Sequence, residues 1–196
     1  MFHHPSWILA FHLHVHGDHL YVTGSEWAPM HGGIWRTSNG VNWEQYAASD
    51  YTYWDMASGG TDLWTSGAYG GDYGPGCHPA VFRNRDLAWE SDEQGAGFLG
   101  IATFRGKVYV GQAAPAKVIR INDNKTVVNL PTQGKIPKLI VDDRCNTLYA
   151  IGCVADEATR GAEVWKTTDG DKWSLALPPF SVPHLFHAYQ DPADGT

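Results

Sequence analysis

The chain is short of cysteine, of positive charge and of long apolar runs, and each shortage removes a class of protein. Its three cysteines, Cys77, Cys145 and Cys153, spread over 196 residues, are too few and too scattered for a disulfide framework or a cysteine-based zinc site. They are expected to be free thiols. The formal charge is −7, from 14 Lys and Arg against 21 Asp and Glu. No basic run appears, whereas phosphate recognition needs clustered Lys and Arg, so no nucleic-acid partner is expected. No apolar stretch approaches the roughly 20 residues of a membrane-spanning helix, so no membrane partner is expected either. The opening MFHHPSWILAFHLHVHG lacks a positive segment followed by a clean apolar core and makes a poor secretory signal. The compartment expected by default is the cytoplasm, or the cell exterior if the true N-terminus lies upstream.

Aromatic residues and glycine are what the chain has instead. Aromatics make up 13% of it, with nine Trp and nine Tyr beside 22 Gly. That mixture favours short strands joined by tight turns. With 43% hydrophobic residues, one domain of this length can fill a core.

A repeat organises the sequence. Strand-like segments HLYVTG (19–24), DLWTSG (62–67), KVYVGQ (107–112) and TLYAIG (147–152) place Tyr21, Trp64, Tyr109 and Tyr149 at intervals of about 40 to 45 residues, the period of a propeller blade. About eight residues before each stands an apolar residue, Leu13, Met56, Ile101 and Val141, as a hairpin requires. A second hairpin follows each pair: GIWRTSNGVNWEQ, AVFRNRDLAWESD, KVIRINDNKTVVN and EVWKTTDGDKWSL. The first and last carry T-x-[DN]-G-x-x-W, as Thr37, Asn39, Gly40 and Trp43, then Thr167, Asp169, Gly170 and Trp173. Asn-Gly and Asp-Gly suit tight hairpin turns, and the short side-chain oxygen can accept from the turn's own backbone. The Trp is expected to pack beneath the turn. In the two middle copies, Arg85-Asp86-Leu87 and Asn122-Asp123-Asn124, the Asp survives and the Gly is lost.

The expectation is an all-β propeller of four-stranded antiparallel blades, strands a to d, at about 8–49, 50–94, 97–131 and 135–179. The closing segment SVPHLFHAYQDPADGT (181–196) reads as the first strand of another blade. That implies an incomplete ring or a fragment, which would favour self-association through unpaired faces.

The two T-x-[DN]-G-x-x-W turns resemble the Asp-box (BNR) repeats of propeller proteins that include sialidases and some endoglucanases, in a form one residue tighter than usual. The resemblance implies the fold; in that family the Asp-box is a structural turn remote from the active site. It also frames an alternative, in which the chain is a fragment of an Asp-box glycoside hydrolase. The residues lean against that alternative: Arg36, Arg83 and Arg120 recur at one repeat position, beside Lys166, and the Phe/Tyr-Arg-Ile/Leu-Pro motif of sialidases is missing.

A second motif competes. HVHGDH (14–19) matches H-x-H-x-D-H, which dinuclear metallohydrolases place at a strand-to-helix junction. Here HLYVTG follows at once as a strand, and Gly17-Asp18 aligns with the turns Gly59-Gly60 and Arg105-Gly106. His12, His14 and His16 alternate with apolar residues and share one strand face. They are expected to be packed or solvated strand residues, with no metal and no cofactor; the alternative is one zinc or nickel ion on which these alternate strand residues converge.

Function is expected on the blade end where the b–c and d–a connections emerge, opposite the Asp-box turns. The b–c loops SEWAPMHGG, SGAYGGDYGPGCHP and VADEATRGA offer Trp27, His31, Tyr69, Asp72, Tyr73, His78, Asp156, Glu157 and Arg160. Aromatics flanked by charged groups suit a carbohydrate or protein ligand, with rings for contact area and polar groups for orientation. A non-catalytic scaffold or binding module is therefore the expected role.

Overall fold

A computed structural model describes residues 7–26, 31–70, 76–113, 115–129, 134–153 and 161–180. The described residues form strands joined by tight turns, with one short 3-10 turn as the only helical element among them. The chain divides into two compact units, Met1–Ile101 and Ala102–Thr196.

The first unit holds two antiparallel meanders, each with its strands in sequence order. One comprises β1 (Trp7–His16), β2 (His19–Glu26), β3 (Gly32–Thr37) and β4 (Glu44–Ser49). The other comprises β5 (Tyr51–Gly59), β6 (Asp62–Tyr69), β7 (His78–Arg83) and β8 (Asp86–Glu90). Tyr21 pairs with Arg36 and Trp64 with Arg83, so the repeating aromatic and the repeating arginine are cross-strand neighbours. Tyr21 and Ile34 of the first sheet are buried together with Tyr53, Met56, Leu63, Ala80 and Phe82 of the second. These apolar stripes come from alternate residues of adjacent strands, which is why a period-2 pattern yields a stacked core.

The second unit carries β10 (Lys107–Ala113), β11 (Lys117–Arg120), the 3-10 turn Ile121–Asp123 and β12 (Lys125–Asn129), then β13 (Lys135–Asp142), β14 (Thr147–Cys153), β15 (Ala162–Thr167) and β16 (Ser174–Phe180). Strand β9 (Gly97–Phe104) pairs with β10. Among the described residues the two meanders are paired at one rung, Ala113 with Lys135. At that junction Gly111 lies against Ile136, where a Cβ would be 2.6 Å from the isoleucine, so glycine is needed for the close approach. Phe104, Tyr109, Val118, Ile136, Leu139 and Leu148 form the core of this unit, and Trp173 packs against it.

The T-x-[DN]-G turns close on side-chain oxygens. Thr37 Oγ1 accepts from the backbone N–H of Asn39 and Gly40 at 3.3 and 3.0 Å, and Asn39 Oδ1 accepts from Val41 and Asn42 at 2.9 and 2.8 Å. Thr167 and Asp169 repeat the pattern, with Asp169 Oδ1 accepting from Asp171 and Lys172 at 2.9 and 2.7 Å. Those two N–H groups hold the Asp169 carboxyl down at about 2. Gly40 and Gly170 take positive φ, +72° and +82°.

The middle copies are not simply decayed. Asn84 and Asn124 adopt positive φ, 57° and 48°, as asparagine tolerates better than most residues. Asn84 Oδ1 and Asn122 Oδ1 reach back to Leu63 N and Val108 N at 3.1 and 2.7 Å, tying each turn to the start of strand b. Arg120 is buried between Asp123 and Asp171.

One register differs from the spacing argument. The a–b turn of the last sheet spans Asp143–Asn146, so Leu139 pairs with Ala150, and Ile140 with Tyr149. Leu139 rather than Val141 is therefore the counterpart of Leu13, and Ile140 is that of His14. The longer loop closes on Asp142 Oδ1, which accepts from Arg144 N and Cys145 N at 2.9 and 3.4 Å.

Candidate binding surface

The histidine-rich hairpin comes first, because it carries the strongest sequence motif. Strand β2 begins at His19, directly after the Gly17-Asp18 turn, and no helix leaves Asp18. The three alternating histidines seat β1 on β5. His12 Nε2 lies 3.1 Å from Asp55 Oδ1. His14 Nε2 and His16 Nδ1 meet the Ser58 hydroxyl at 2.8 and 2.9 Å, and His16 Nε2 reaches the Thr61 carbonyl at 3.2 Å. Among the described residues no three His, Cys, Asp or Glu side chains converge as a metal site.

Asp55 is the hub of this arrangement. Buried on β5, it accepts from Met56 N at 2.9 Å and from Ile101 N of β9 at 3.2 Å, besides meeting His12. Ser66 Oγ sits beside it, accepting from Asp55 N at 3.2 Å and donating to Leu99 O at 2.9 Å. Three successive inner strands are thus tied through one carboxylate and one hydroxyl. Its donors leave Asp55 a structural part.

At the other end of the sheets stands the surface expected to bind. Of the residues picked out from the b–c loops, His31, Tyr69 and His78 are described; Trp27, Asp72, Tyr73, Asp156, Glu157 and Arg160 lie outside the described residues. His31 is half open, with Nδ1 2.9 Å from Asp50 Oδ1. Tyr69 and His78 come together, because they are register partners at the end of β6 and the start of β7, with ring centroids 6.3 Å apart.

Tyr69 has a second partner that the sequence did not single out. Tyr51, first residue of β5, is its register partner on the other side, with ring centroids 5.4 Å apart at 67°. The Tyr51 ring also meets Phe82 edge-on at 5.1 Å, and its hydroxyl donates to Glu90 Oε1 at 2.9 Å. Burial together with the Glu90 carboxylate pushes the Tyr51 hydroxyl up to about 12, so Tyr51 remains a neutral donor across the ordinary pH range. The result is a row across one blade end, Tyr51, Tyr69 and His78, with Glu90 on the outermost strand. Tyr69 and Glu90 are exposed, whereas Tyr51 is held from three sides. An exposed ring on a braced neighbour, beside a carboxylate, can stack on an apolar face and accept from hydroxyl or N–H donors.

The same blade has a concavity of about 540 Å³ at its opposite end, lined by Asp62, Trp64, Arg83, Asn84, Asp86 and Ala88. Arg83 spans its wall, bonded to Asp62 at 2.8 Å and lying over the Trp64 ring at 5.8 Å. Its cation is engaged with wall residues.

No protein-family model matches the sequence, and no curated protein matches it either. Solved structures match in shape. A thermostable family-43 glycoside hydrolase superposes with a TM-score of 0.54 at 9% identity, over 88% of this chain and 73% of that one. The GH43 BlXynB protein from Bacillus licheniformis gives 0.51 at 11% identity, over 91% of this chain and 42% of that one. At such identities the likeness speaks for fold alone. With its all-antiparallel meanders, the chain is a β-propeller built from four-stranded blades.

Proposed function

We propose that this propeller is a non-catalytic binding module of the Asp-box type that takes a carbohydrate ligand on the blade end formed by its b–c and d–a connections. One observation carries the reading: the exposed Tyr69 ring, flanked by His78 and by Tyr51 locked to Glu90. A sugar's C–H face stacks on such a ring while its hydroxyls donate to a carboxylate. Bracing keeps the ring in place before binding, which lowers the ordering cost of association. The other loop residues picked out from the sequence, Trp27, Asp72, Tyr73, Asp156, Glu157 and Arg160, are proposed as further ligand contacts, and a peptide segment presenting hydroxyl and N–H groups is the alternative ligand.

The second reading, a piece of an Asp-box glycoside hydrolase, has a counterpart among the fold neighbours, which include a family-43 glycoside hydrolase. Hydrolysis needs two carboxyl groups about 5 to 9.5 Å apart. Asp55 accepts two backbone N–H bonds, and Glu90 is tied to Tyr51, so neither is offered as half of such a pair.

A glycan array followed by calorimetry on the strongest binder tests the proposal. Tyr69→Ala should weaken binding at least tenfold while leaving the melting temperature nearly unchanged. Binding that is indifferent to Tyr69→Ala and to Glu90→Gln would refute the site. Turnover of chromogenic glycosides by the wild-type chain would favour the hydrolase.

A further inference from the structure

The repeat allows one face of the first blade to be compared with its equivalents. Side chains of β1 and β2 alternate between two sides. On one side His14, His16 and Tyr21 meet the second blade. On the other stand Leu13 and Val15, opposite Val22 and Leu20. Leu13 is level with Met56, Ile101 and Leu139; Met56 and Leu139 likewise oppose the residue after their blade's aromatic. Met56, Ile101 and Leu139 are 2%, 2% and 3% exposed, whereas Leu13 is 62% and Val15 68% exposed.

The T-x-[DN]-G turns repeat the contrast. In the last blade Gly170 lies against the Tyr109 hydroxyl, and Asp171 bonds to Arg120 at 3.0 Å and Lys125 at 2.7 Å. The preceding blade's aromatic and its arginine thus rest on that turn. In the first blade nothing lies within 4 Å of a Cβ built on Gly40. Val41, which stands where Asp171 does, is an exposed apolar side chain. At both places the first blade bears, uncovered, the surface on which a later blade seats its predecessor.

We propose that this surface seats the β13–β16 blade of a second copy of the chain. That blade carries the matching half: Ile140, Tyr149 and Lys166 form the set equivalent to His14, Tyr21 and Arg36. The chemistry changes on both sides together. Where His14 meets the Ser58 hydroxyl, Ile140 meets Val15, apolar on apolar. Where Arg120 meets the Asp171 carboxylate, the aliphatic stem of Lys166 covers Val41, which needs no counter-charge. Two different patches of the same chain meet, so the contact is heterologous.

Light scattering on the eluting full chain at micromolar concentration tests this. The expected mass is at least twice the 21.6 kDa of one chain. Leu13→Glu/Val15→Glu alters exposed positions, so it should keep the far-UV spectrum and elute at the single-chain mass. Ile140→Lys, which spoils the other half, should do the same. Mixing the two variants restores one intact pair of faces, and a heterodimer should reappear. A monomeric wild type, a double variant that still associates, or a mixture that stays monomeric would each overturn the proposal.

Discussion

Removing the Asp55 carboxylate should cost more stability than any other single truncation among the polar groups between the inner strands. In Asp55→Ala, Met56 N and Ile101 N lose their acceptor in a buried setting, and His12 Nε2 loses a partner 3.1 Å away. Each buried donor left without a partner costs about 1–3 kcal/mol. Two of them, together with the lost histidine contact, bring the expected loss to about 3–5 kcal/mol, in line with breaking a buried pair from one side. His12→Ala leaves both backbone donors satisfied and should cost about 1–2 kcal/mol. Urea titrations followed by tryptophan fluorescence give both values, and the double variant gives the coupling. Equal losses in the two single variants, or a loss below about 1 kcal/mol for Asp55→Ala, would show that the carboxylate does not organise the strands.

Other expectations follow from the turns. Gly170 combines positive φ with contact against Tyr109, whereas Gly17 has positive φ and open space. Gly17→Ala should therefore cost about 1–2 kcal/mol from left-handed strain, and Gly170→Ala clearly more, read from the same urea titrations. Because the folded state holds the Asp169 carboxyl at about 2, below the unfolded value near 3.9, its contribution is complete above that unfolded value and disappears as pH falls through about 2. Asp169→Asn should flatten the dependence of melting temperature on pH between about 4 and 2. Asn39→Asp should steepen it, because it places a titrating group in the equivalent bonds of the first turn.

The propeller was legible because its signals are local. An aromatic strand, a two-residue turn and a Trp-bearing hairpin lie within a few residues of one another, and their recurrence survives without any knowledge of packing. The misaligned fourth blade shows where that logic stops. Spacing counts residues, but Asp142 folds Asp143–Asn146 into a longer turn, and register shifts by two. Asn84 and Asn122 were opaque for a related reason. Their role is to bond to strands 21 and 14 residues away, and sequence shows no such pairing. The candidate surface was half visible. Tyr69 and His78 stand in a loop whose composition invites attention, whereas Tyr51 and Glu90 belong to different strands and meet only because a tyrosine side chain crosses the sheet.

The shared Ser58 hydroxyl sets the tautomers of the strand's histidines. The Thr61 carbonyl can only accept, so His16 Nε2 carries a hydrogen. With the ring neutral, Nδ1 is then a lone pair and must receive the Ser58 proton. The serine oxygen in turn takes its second bond from a hydrogen on His14 Nε2. In that tautomer the hydrogen bonds point one way, from His14 on β1 to Ser58 on β5, back to His16 and on to Thr61. Nitrogen-15 shifts of the two imidazoles would display that polarity directly.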